Sequence, residues 1–174
     1  GHHRAKSASL AYKKLKNISQ HSGNFLTALF PAEELMVLPY NRFVHDLNGM
    51  DSYEFLGSLE KVCKNITENA PPEPDSKGKL SIYIGGKWFC LKLPDSEKID
   101  PVSLLDAAIL QKRILEPLLA IHDPRTSDRI SFIGGIRGTI ELEKLVNKKE
   151  GSVAFSLYPV QVEEVLDVAD AGML

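Results

Sequence analysis

The apolar positions of this 174-residue chain change rhythm several times, and each rhythm predicts a different element. From residue 4 to about 17, Ala8, Ala11, Tyr12, Leu15 and Ile18 recur at helical spacing with lysines opposite them, which predicts an amphipathic helix. Gly23 ends the following turn. Residues 25–30 and 35–38 then predict two strands joined across Pro31-Ala32-Glu33-Glu34, and 40–47 extends the second strand past Pro39. That proline places the strand at an edge or a bulge. Asn48-Gly49 predicts a turn. Asp51 followed by Glu54 is a capping-box pattern that opens a helix carrying Phe55, Leu56, Leu59, Val62, Cys63 and Ile66.

Residues 69–79 hold three prolines and no apolar period, so they predict a surface loop, the most mobile part of the chain. Residues 80–84 and 87–93 alternate around Gly85-Gly86, which predicts a hairpin whose two-residue turn uses positive φ. Asp100 and Pro101 open a helix running to about Glu116, where Pro117 must kink or restart it. In the last third, strand 130–133, helix 139–149, strand 153–157 and helix 160–171 alternate, which implies a right-handed parallel crossover. The expected class is mixed α+β, with a mixed sheet and hairpins in the first two thirds and a βαβα unit in the last. Residues 1–68, the loop 69–79 and residues 80–174 are expected to pack as one continuous domain.

Composition narrows the field of functions. With 43% hydrophobic and 25% charged residues the chain can bury a sizeable core. A net charge of −2 argues against a protein that holds nucleic acid by broad phosphate neutralisation, and no helix-turn-helix pattern is visible. The charge is uneven, however: residues 1–32 carry +5 (Arg4, Lys6, Lys13, Lys14, Lys16) and no acid, while the remaining 16 basic and 23 acidic residues give −7. A basic helix of this kind is either a solvated face or meets an anion. The two cysteines, Cys63 and Cys90, suggest neither a metal site nor a disulfide framework. No run reaches the length of a membrane span and no signal-peptide pattern opens the chain, so a cytoplasmic protein without membrane contact is expected.

Two segments speak about chemistry. Gly1-His2-His3-Arg4 is a short polar turn feeding the basic helix and looks like half of an anion site, although His2-His3 also fits a tag remnant. Gly134-Gly135-Ile136-Arg137-Gly138 lies between a strand and a helix. There, backbone N–H groups at Gly134, Gly135 and Gly138 can converge on an anion, with Arg137 as a bidentate donor. The motif matches neither the dinucleotide fingerprint nor the phosphate loop, and Glu141 and Glu143 already occupy the helix start electrostatically. A tight turn with a surface arginine fits the same residues. Upstream, His122, Asp123, Arg125, Asp128 and Arg129 crowd into one turn. They are either self-paired surface charges or a carboxylate- or phosphate-holding group beside the glycine turn, with His122 titrating near neutrality. His21 and His45-Asp46 read as ordinary polar surface positions. No metal-binding or nucleophile motif of recognisable spacing is present.

Five ordered segments carry a resemblance: Gly1-His2-His3-Arg4-Ala5, Tyr40-Asn41-Arg42, Asp123-Pro124-Arg125-Thr126, Phe132-Ile133-Gly134-Gly135-Ile136-Arg137-Gly138 and Val153-Ala154-Phe155-Ser156-Leu157-Tyr158-Pro159. Together they look like a bacterial and archaeal family of unknown function described as ParB-like, or related to SpoOJ/ParB. The resemblance implies a longer protein, with an Asp before the Gly-His-His-Arg motif and further chain after Gly172. It also implies that the Gly-x-x-Arg turn binds nucleotide phosphates. Gly1 would be a backbone donor, His2 and His3 polarising or proton-shuttling catalytic groups, and Arg4 a phosphate clamp. The implied function is a nucleotide- or phosphate-dependent enzyme, a phosphotransferase or nucleotide hydrolase, using a nucleotide with or without Mg. The alternative is a nucleotide-sensing binding module without fast chemistry. Either way the expected partner is a small anionic ligand, and nucleic acid is not.

Overall fold

The computed structural model describes residues 2–97 and 100–173, apart from the side chains of His2, His3 and Ala32. They fall into two units, one reaching to Met36 and the other spanning Val37–Met173. The fold is mixed α+β.

In the first unit, helix α1 spans His2–Leu15, with Lys13 and Lys14 in its last turn complementing the helix dipole. Its apolar stripe buries little: Leu10, Tyr12 and Leu15 are all exposed. The two strands expected at 25–30 and 35–38 do not form; only a 3₁₀ turn, Ala32–Glu34, interrupts irregular chain. Apolar residues there follow each other at 25, 26, 29 and 30 rather than alternating, and a strand needs a partner to satisfy its backbone. Leu26 is 99% exposed and Met36 82% exposed.

The second unit is built on a six-stranded sheet. Its strands are β1 (Tyr40–Val44), β2 (Lys64–Glu68), β3 (Lys79–Ile84), β4 (Lys87–Lys92), β5 (Ile130–Gly134) and β6 (Val153–Leu157). Their order is β2-β4-β3-β6-β1-β5, and every neighbouring pair is antiparallel. Both β5 and β6 run antiparallel to β1, which lies between them, so they point the same way without being neighbours. Pro39 does not place β1 at an edge. It sits just before the first strand residue, at the end of the ladder, where its carbonyl still accepts from Gly135 N, and β1 is an interior strand.

The two-residue period of the strands sorts side chains onto two faces. Val44, Leu80, Ile82, Leu91, Ile130, Phe155 and Leu157 form one core. That core includes Phe55 and Leu59 of helix α2 (Ser52–Val62) and Leu110, Ile114, Leu115 and Leu119 of the following helical region. On the other face, Phe43, Tyr83, Trp88, Ile133 and Ala154 pack with Leu142 and Val146 of helix α5 (Gly138–Lys148). Full burial of such a side chain stabilises by about 1.5–3 kcal/mol, so these two layers dominate the energetics.

Helix α2 starts where the capping box predicts: Asp51 accepts from Glu54 N at 2.8 Å, and the Glu54 carboxylate accepts from Asp51 N at 3.0 Å. It ends at Val62, four residues before Ile66, which belongs to β2 instead. The helix expected from Asp100 begins later, as α3 (Asp106–Leu110), a π-helical turn (Gln111–Leu115) and α4 (Glu116–Leu119) in unbroken succession. The wider turn, with Glu116 N–H on Gln111 O, lets the helix pass Pro117, which cannot donate to an α-type ladder. Gly85 and Gly86 take φ of 57° and 79°, the conformation a two-residue hairpin turn requires. The segment before β3 is anchored by Asp106, whose carboxylate accepts from Gly78 N at 2.9 and 3.1 Å. Helix α6 (Val162–Asp170) completes the unit. Among the described residues no helix is long and apolar enough to cross a membrane.

Candidate anion-binding site

Residues 40, 42 and 44 share one face of β1, and Val44 on that face is core; alternation therefore aims the Arg42 side chain over the same apolar surface. Across the sheet Arg42 stands directly opposite Phe132, and Tyr40 opposite Gly134. The backbone bonds between these strands are made by the alternate residues, as in His45 N to Arg129 O at 2.9 Å and Gly135 N to Pro39 O at 2.8 Å. Arg42 and Phe132 therefore form the kind of pair whose side chains approach most closely.

The rings of Tyr40 and Phe132 stack 5.1 Å apart with 14° between their planes. The Arg42 guanidinium carbon lies 4.3 Å from the Phe132 centroid and 5.0 Å from that of Tyr40. Its Nη1 donates to the carbonyls of Tyr40 and, at 3.4 Å, Asn41. These contacts lock the plane of the fork. Neither Nε nor Nη2 has a partner among the described residues, and no carboxylate pairs with the group. Burial lowers the Arg42 pKa to about 10, with Tyr40 opposing the shift. At neutral pH the group is still a cation, held half-buried without a counter-charge. Desolvation makes that arrangement costly, and the aromatic faces recover only about 1–2 kcal/mol of it.

The glycine turn follows at the same end of β5. Gly135–Arg137 form a 3₁₀ turn and Gly138 opens α5 with φ of 67°. Two of its N–H groups are already committed, Gly135 to Pro39 O and Gly138 to Gly135 O. Gly135 packs so tightly on Pro39 that an added Cβ would fall 2.6 Å from the proline ring, which is reason enough for glycine there. Arg137 is exposed. Glu143 does not sit at the helix start as an isolated charge: it accepts from Trp88 Nε1 at 2.7 Å.

The sequence-predicted residues are thus only partly brought together. Gly134, Gly135, Arg137 and Gly138 share one end of β5. His122, Asp123, Arg125 and Asp128 lie before the other end, separated from the glycine turn by the length of the strand, roughly 13 Å at about 3.3 Å per residue. Asp123 and Arg125 pair with each other at 3.1 Å, which holds the Asp123 carboxyl below its usual range, and His122 Nδ1 lies 3.7 Å from Glu116. Gly1 and the side chains of His2 and His3 lie outside the described residues; Arg4 is exposed on α1 of the first unit.

Sequence reasoning missed the Tyr40-Arg42-Phe132 assembly, although one signal was present: an arginine in phase with the apolar positions of a strand. It also read His45 and Asp46 as plain surface. Instead, Asp46 binds Arg129 through both carboxylate oxygens, and His45 Nε2 lies 2.8 Å from Ser131 Oγ.

Comparison with known proteins corrects the ParB-like resemblance. The matching sequence family is an uncharacterised one, described as "Protein of unknown function (DUF1015)", and nothing shows a relationship to ParB-like proteins. The roles that resemblance lent to Gly1, His2, His3 and Arg4 lose their support with it. No curated protein and no solved structure matches the chain. The family's match covers residues 1–108 of 174, well over half, and the chain therefore belongs to the DUF1015 family of proteins of unknown function.

Proposed function

We propose that this chain is a binding module for a small phosphate-bearing ligand, nucleotides included, and that Arg42 is its anion-contacting residue. One observation supports this above the others: a half-buried guanidinium, fixed in plane by two carbonyls and an aromatic face, with the Nε and Nη2 edge unused and no acid beside it among the described residues. A planar fork of this kind matches the paired oxygens of a phosphate or carboxylate. Its fixed geometry removes part of the ordering cost that a free arginine would meet on binding. Arg137, on the turn that follows β5, adds positive charge at the same end of that strand.

The test is a thermal-shift series with inorganic phosphate, pyrophosphate and common nucleoside di- and triphosphates, run on wild type and Arg42→Ala. A ligand at 100 times its Kd stabilises by about 2.7 kcal/mol, a shift that is readily measured. Stabilisation by at least one phosphate compound, lost in Arg42→Ala, supports the reading. Absence of any shift in the wild type sinks it. Release of inorganic phosphate from a bound nucleotide would turn the module into an enzyme.

A further inference from the structure

The residue just past β1 and a residue of β5 form a second polar pair, on the opposite face of the sheet from Arg42 and towards the other end of the strands. Phe43 and His45 share the face covered by α5, and Ser131 stands opposite Phe43. His45 Nε2 lies 2.8 Å from Ser131 Oγ, the separation of a hydroxyl from the base that deprotonates it. The imidazole packs 5.0 Å from the Phe43 ring, which restricts its rotation. Both members are only partly buried, so an electrophile has access to them.

The surroundings set the charge state. Burial and the positive charge of Lys149, from the end of α5, act to keep the ring neutral; Asp46, the next residue after His45 past β1, and Asp128, from the turn before β5, act the other way. Asp46 is already engaged by Arg129, and the balance lies below the ordinary histidine range. A neutral imidazole whose Nε2 faces a hydroxyl can accept its proton at pH 7.

We propose that Ser131 is a nucleophile activated by His45 and takes an acyl group from an activated ester. The Ser131 Oγ–H proton passes to His45 Nε2 as Oγ bonds to the carbonyl carbon. The bond to the leaving alcohol then breaks with its electron pair on oxygen, and that oxygen takes the proton from His45. Water, giving its proton to the same nitrogen, then bonds to the acyl carbon. The bond from that carbon to Ser131 Oγ breaks with its electron pair on Oγ, and Oγ takes the proton back from His45. This inference is independent of the Arg42 site, which lies on the other face.

The experiment treats the whole chain with p-nitrophenyl acetate and, separately, with an alkyl fluorophosphonate, followed by intact mass and peptide mapping. A single adduct on Ser131 is expected, absent in Ser131→Ala and formed about 100-fold or more slowly in His45→Gln. Circular dichroism verifies that both variants are folded. The labelling rate should rise with pH through one ionisation below about 6.5, the ordinary histidine value. No adduct on the wild type, an adduct elsewhere, or equal labelling of folded Ser131→Ala overturns the proposal.

Discussion

Two neighbouring glycines should respond in opposite ways to the same substitution. A Cβ added to Gly135 would lie 2.6 Å from Pro39 Cδ, 2.7 Å from Cγ and 2.8 Å from the Pro39 carbonyl oxygen, against 3.4–4 Å for ordinary contact. A proline ring and a backbone carbonyl cannot swing aside, so β1 and the turn must separate by about 0.8 Å to bring the 2.6 Å approach to the 3.4 Å of ordinary contact. That movement also weakens the 2.8 Å bond from Gly135 N to Pro39 O, which starts the β1–β5 ladder. Overpacking of this kind costs about 1–3 kcal/mol and the weakened bond about 1 kcal/mol more, so Gly135→Ala should destabilise by about 2–4 kcal/mol. Its thermal midpoint should fall by about 5–15 °C. At Gly134 the backbone is extended, with φ of −62° and ψ of 139°, and a Cβ meets nothing within 4 Å. Gly134→Ala should be neutral, or stabilising by up to about 1 kcal/mol through the unfolded chain. Thermal unfolding followed by circular dichroism measures both. Equal effects at the two positions, or a neutral Gly135→Ala, would refute the packing argument and reopen the turn as a site kept free of side chains for a ligand.

Acid titration isolates the Asp46–Arg129 pair. The hydrogen bonds from Arg129 lower the Asp46 pKa from 3.8 to about 2, so its contribution is present above pH 3.8 and is lost as pH falls through 2. The Asp46 side chain is 48% exposed and screened by solvent, so Asp46→Asn should cost only about 1 kcal/mol at pH 6, and urea midpoints of variant and wild type should converge near pH 2. The core is tested at Phe155, fully buried in the middle of β6: Phe155→Ala should cost about 3–5 kcal/mol. Trp88, the single tryptophan, is buried in the second unit and reports that loss by fluorescence during denaturation.

What was legible in the sequence was what local chemistry decides. The Asp51/Glu54 cap and the Gly85-Gly86 turn bond or bend within a few residues, so their patterns translate directly. β2 was not legible, because Ile66 falls at helical spacing from Leu59 and Val62; pairing with β4 overrides that period. The apolar runs at 25–30 and 35–38 failed in the opposite sense, for side-chain preference alone does not make a strand without a neighbour. The π turn before Pro117 is a tertiary solution, with the helix kept continuous by the buried side chains of Ile114, Leu115 and Leu119. Both candidate sites depend on register. Arg42 meets Phe132, and His45 meets Ser131, across gaps of 90 and 86 residues that no periodicity in the chain announces.

The most direct test observes the Arg42 side chain itself. In ¹⁵N-labelled protein at pH 7, the Nε–H resonance of Arg42, assigned by its disappearance in Arg42→Lys, should shift saturably as pyrophosphate is added. A bidentate charged contact of about 1.5–3 kcal/mol predicts affinity weakened about 10- to 150-fold in Arg42→Ala. A saturable shift confined to Arg125 or Arg137, with Arg42 unmoved and Arg42→Ala binding as tightly as the wild type, contradicts the account.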